Sequence, residues 1–105
     1  MDTHTIYRPK GGYKTAISPA TPISGEFETW HIDVFDRGGF RYFQLWGNGS
    51  REVRDQVAMP LEVVRSLGDS EAYSRVERLL MGRIDHEDRI AAGLRVPPTT
   101  IYPAW

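Results

Sequence analysis

His31 and Asp33 stand two residues apart in the run WHIDVF, and on a strand residues i and i+2 share a face. A carboxylate beside an imidazole fixes the ring's tautomer, which general bases and metal ligands require. A nucleophile would have to complete such a site. The chain has no cysteine, and neither a GxSxG nor an SxxK pattern occurs. The pair therefore reads first as a polar couple on the solvated side of a hairpin. A small-ligand or enzymatic site using His31 and Asp33 is the alternative.

The run DHEDR (85–89) gathers three carboxylates and an imidazole. A helical metal site places ligands at i and i+3 or i+4, but His86 has Arg89 and Ile90 there. Asp85 and Asp88 fit better as a helix cap and an acidic first turn. No metal or other cofactor is expected.

In YRPKGGYK, Tyr7, Arg8, Lys10, Tyr13 and Lys14 bring three cations and two tyrosines to a glycine pair. Backbone amides and lysine hold phosphate, and tyrosine stacks on bases, so this is a nucleic-acid candidate, with Arg37 and Arg41 as further cations. It is not a Walker loop, which runs GxxxxGK[ST] into a helix. The charge balance disfavours it. Thirteen basic and fourteen acidic residues leave a net charge of −1, whereas nucleic-acid modules carry a basic excess. Residues 1–54 hold seven basic and six acidic groups and residues 55–105 six and eight, so neither half is basic.

A strip of large side chains is the stronger signal. In WHIDVFDRGGFRYFQLW (30–46), pairing Phe35 with Phe40 across Asp36-Arg37-Gly38-Gly39 sorts the residues into two faces. One collects Trp30, Ile32, Val34, Phe43 and Leu45, with Arg41 as its polar member. The other collects Thr29, His31, Asp33, Phe35, Phe40, Tyr42, Gln44 and Trp46. Aromatic and arginine groups with a few polar neighbours are enriched in protein-binding hot spots. Phe35, Arg37, Phe40, Tyr42, Gln44 and Trp46 are thus the protein-binding candidates. A second core layer, and RNA stacking on a sheet, are the other readings of the strip.

These groups need elements to position them. The 105 residues suit one domain, with no linker or repeat. HTIY (4–7) and YKTAI (13–17) suit short strands within an otherwise irregular segment 1–25. Residues 26–47 form the hairpin, and 51–92 read as the helical part. There REVRDQVA (51–58) forms a short helix capped by Ser50, after the loop GNGS. Pro60 opens a helix that Gly68 stops, and Asp69 or Ser70 starts a longer one. Tyr73, Val76, Leu79 and Leu80 share its face. The spacing leaves one or two helices in 70–92, with Gly82 and Asp85 at the break. Residues 94–105 form an extended, proline-rich tail whose Ile101, Tyr102 and Trp105 suggest docking on this domain or a partner.

The expected fold is α+β: an antiparallel sheet of three to four strands around a central hairpin, packed on two to three C-terminal helices. The hairpin's apolar face is expected to meet Val64, Leu67, Val76 and Leu80. The N-terminus does not read as a secretory signal, no run approaches a membrane span, and the lack of cysteine fits a reducing cytoplasm. The function expected is a small non-enzymatic interaction protein, binding a protein partner or itself.

Overall fold

Gly38 and Gly39 both take positive φ, 58° and 85°, as a two-residue type I′ turn requires. They join β2 (Phe27–Arg37) to β3 (Phe40–Gly47). Phe35 therefore pairs with Tyr42, and Arg37 with Phe40. The register differs by two residues from the Phe35–Phe40 pairing that the sequence suggests. Since side chains alternate with period two, that shift leaves every residue on its expected face. The shorter turn prevails because its twist matches that of the strands. It also sets Asp36 against Arg41, which bond through both carboxylate oxygens at 2.7 and 3.1 Å.

The computed structural model describes residues 2–9, 27–93 and 105. It is an α+β fold with element order β1 (Asp2–Pro9), β2, β3, β4 (Ser50–Pro60), α1 (Leu61–Leu67) and α2 (Asp69–Ala91). The sheet is an antiparallel meander in the order β1-β2-β3-β4, with the hairpin at its centre. YKTAI (13–17), residues 18–26 before the hairpin and residues 94–104 of the tail lie outside the described residues.

Residues 51–58 are not a helix. Asn48 and Gly49, at φ 54° and 87°, make a second two-residue turn, and the chain returns as β4 beside β3. Asn-Gly is a strong hairpin signal, and it overrides the weak helical propensity of REVRDQVA. Ser50 accordingly starts a strand rather than capping a helix. The register shifts between Leu45 and Gly47. Gly47 itself, at φ 138°, lies so close to β2 that a Cβ there would stand 2.6 Å from the Thr29 carbonyl oxygen. Only glycine permits that approach.

The two helices follow their sequence signals closely. Pro60 precedes the first turn of α1, and Gly68, at φ 87°, separates the helices. Among the described residues there are two helices, the lower of the two numbers expected, and α2 runs unbroken for 23 residues past Gly82. Its buried positions Ala72, Val76, Leu80 and Ile84 repeat every four residues. They pack with Val64 of α1 onto Trp30, Ile32, Phe43, Leu45, Val57 and Met59 of the sheet, and Leu67 packs at the margin. The expected contact between the hairpin's apolar face and the helices is thus present. Trp105 also packs against this core.

Charged groups from the sheet fasten α2. Arg41, the polar member of the apolar face, reaches Asp69 at the helix start, 2.8 Å away. Together with Asp36, that carboxylate raises the arginine's pKa. Arg54 and Asp55 of β4 bind Glu87 and Arg83. At the opposite edge Arg8 of β1 meets Asp85 and Asp88.

Candidate functional site

The alternation of β2 and β3 turns Trp30, Ile32, Phe43 and Leu45 toward the helices. Their neighbours His31, Asp33, Phe35, Tyr42, Gln44 and Trp46 therefore point to the other side. Both helices lie on the inner side, and these outer side chains are half-buried, with Phe40 41% exposed at the end.

The outer face is not one continuous aromatic strip. Phe35 stacks on Tyr42 with ring centroids 5.3 Å apart, and Phe40 leans on Tyr42 at 6.5 Å. Farther along the strands, His31 stacks on Trp46 at 4.3 Å, and the Arg51 guanidinium lies 6.0 Å from the indole centroid. Between the two groups a polar row crosses all four strands: Thr3, Asp33, Gln44 and Gln56. Thr3 Oγ1 donates to Asp33 Oδ1 at 2.8 Å, and Gln44 Nε2 donates to Gln56 Oε1 at 2.7 Å. Thr5 Oγ1 lies 3.2 Å from His31 Nδ1. The Trp46 Nε1–H is buried with no hydrogen-bond partner among the described residues.

His31 and Asp33 thus belong to this face, and the structure parts them from the space between hairpin and helices. A cleft of about 450 Å³ does open on the inner side, at the start of α2. It is lined instead by His4, Val34, Arg41, Phe43, Asp69 and Tyr73 among others. His4 stacks on Tyr73 at 4.0 Å. Burial, then the charge and hydrogen bond of Glu77, push the Tyr73 hydroxyl's pKa up. His31 and Asp33 are not among the residues that line this cleft.

The basic N-terminal candidates also separate. Tyr7 stands 68% exposed, whereas Arg8 is 8% exposed on the inner side. Its guanidinium bonds Glu28 at 2.9 Å and Asp88 at 2.7 Å, with Asp85 at 3.5 Å. Burial opposes its charge and these carboxylates favour it; the net effect raises its pKa. Glu28 also accepts from Trp30 Nε1 at 3.1 Å. Arg8 is therefore a structural tie and is withdrawn from any phosphate contact. Lys10, Tyr13 and Lys14 lie outside the described residues, as do Ile101 and Tyr102 of the tail.

Asp85 is not a helix cap either, since α2 continues through it. It pairs with Arg89 one turn on, at 3.0 Å. No metal-binding group of three ligands is present among the described residues. Sequence reading missed Arg51, Gln56 and Thr3 as members of the outer face. The Asn48-Gly49 turn was the available signal, because it brings β4 beside Gln44 and Trp46.

Compared with models of known families, with characterised proteins and with solved structures, the chain matches none. No described helix is long and apolar enough to cross a membrane.

Proposed function

We propose that this domain is a non-enzymatic binding protein that associates with another protein surface through the outer face of its sheet. One observation carries the reading: both helices close the same side, while two ring stacks and Arg51 occupy the other. Cross-strand stacks hold the rings in place, so little side-chain freedom is lost on docking. Tyr and Trp with a nearby arginine supply the amphipathic anchors that dominate interface energies. Phe35, Phe40, Tyr42 and Trp46 are the anchors, and Gln44 supplies polar contact.

The nucleic-acid alternative loses Arg8 to its ion pairs and is opposed by the net charge of −1. A native mass measurement on the protein purified from its own host tests the reading. The expected result is a protein complex or homo-oligomer that Tyr42→Ala with Trp46→Ala dissociates. A folded monomer in the host extract, or a nucleoprotein, contradicts it.

A further inference from the structure

We infer that the cleft at the start of α2 is a second binding site, and that it takes a small organic cation: a protonated amine carried on an aromatic or hydrocarbon body. The site lies on the inner side of the sheet and does not depend on the role of the outer face. The packing of α2 explains why a cleft opens there. Its buried series shrinks toward the helix start, from Ile84, Leu80 and Val76 to Ala72, and Gly68 stands one turn earlier. At that end a cleft of about 450 Å³ lies between the first turns of the helix and Val34 and Phe43 of the sheet. Small-molecule sites span roughly 300–1,000 Å³ and combine apolar walls with a few placed polar groups.

Two sets of lining groups define the ligand. The first is apolar: Val34, Phe43 and the rings of His4 and Tyr73, stacked 4.0 Å apart. These groups suit a ring or hydrocarbon and offer a metal ion nothing. No group of three metal ligands occurs among the described residues. The second set is charged. Asp2, Asp36 and Asp69 bring three carboxylates to the cleft against one guanidinium, that of Arg41. Arg41 already donates from Nε and Nη2 to Asp36 and from Nη1 to Asp69. An anionic ligand would have to compete with those carboxylates for it. A cation instead meets open acceptors: Asp69 Oδ2, which Arg41 leaves, and Asp2, which has no ion pair among the described residues. The Asp69 side chain is 86% exposed, so its pull on a ligand is modest and salt weakens it.

The test is a titration of the folded protein followed by NMR. Tryptamine is the cationic probe, and indole-3-propionate is an anion with the same ring. Tryptamine should shift the ring protons of His4 and Tyr73 with a Kd on the order of 1 mM, as its size implies. At low ionic strength it should bind at least about fivefold tighter than indole-3-propionate, and the preference should shrink in about 1 M salt. Asp69→Asn, which leaves the pair of Arg41 and Asp36 in place, should weaken tryptamine about threefold. Ser70→Phe, at an exposed position lining the cleft, should abolish binding, and its urea midpoint checks that it still folds. Shifts confined to the rings of His31 and Trp46 put the probe on the outer face and overturn the site. Unmoved His4 and Tyr73 signals at every soluble concentration do the same. Equal affinity for the two probes, or tryptamine binding unchanged by Asp69→Asn, overturns the cationic ligand.

Discussion

The two faces of one sheet are built from the same strands, yet they differ in how their side chains are satisfied. On the inner face Ile32, Leu45 and Met59 have no exposed surface and meet Val76 and Leu80 of α2. Its charged residues are tied to helical partners at both edges. On the outer face the contacts run within the sheet: His31 to Trp46, Phe35 to Tyr42, Thr3 to Asp33, Gln44 to Gln56. Cross-strand pairs of this kind contribute about 0.2–1 kcal/mol each, far less than a fully buried core side chain. The inner face therefore carries most of the stability, while the outer side chains are half-buried, with Phe40 41% exposed.

The largest effect expected is on the inner side. Phe43→Ala should cost about 3–5 kcal/mol by leaving a cavity under α2, and urea unfolding measures it. Arg8→Ala comes next: it removes the cation that Asp88 pairs with and leaves Glu28 to Trp30 and Asp85 to Arg89, and should cost about 2–4 kcal/mol, since those acids are partly solvated. Gly47→Ala follows at about 2 kcal/mol or more. Its methyl group meets the Thr29 backbone, which cannot move without disturbing the pairing of β1 with β2. Tyr42→Ala and Trp46→Ala on the outer face should each cost about 1 kcal/mol while reducing association.

A pH titration sharpens the comparison at its smallest scale. Hydrogen bonding to Arg41, helped by its charge, holds Asp36 below its ordinary value of 3.8. A lowered carboxyl pKa gives stability that is present above the unfolded value and lost as pH falls through the folded one. Asp36→Asn should therefore flatten stability below about pH 4, with a small amplitude because the carboxylate is half-exposed. Thermal midpoints of both proteins across that range check it.

What could be read from the residues follows from how local each signal is. The α2 face was legible because Tyr73, Val76, Leu79 and Leu80 keep the helical spacing over about two turns. The two hairpin faces were legible because any register shifted by two gives the same faces. For the same reason apolar patterning could not choose between Phe40 and Tyr42 as the partner of Phe35; turn length decides that. Strand β4 was missed because it is an edge strand. Only Val57 and Met59 are buried, Val53 is exposed, and five of its first seven residues after Ser50 are charged or amide-bearing. Such a run shows little alternation. The role of Arg8 was out of reach, since Asp85 lies 77 positions away in sequence.

The division of labour between the faces meets its most direct test in one sample. The Tyr42→Ala, Trp46→Ala double variant is unfolded in urea while its sedimentation is followed in parallel with wild type. Loss of association is expected, with stability within about 2 kcal/mol of wild type. A variant that unfolds outright would show that the outer aromatics are core rather than site, and one that associates as wild type does would place association elsewhere.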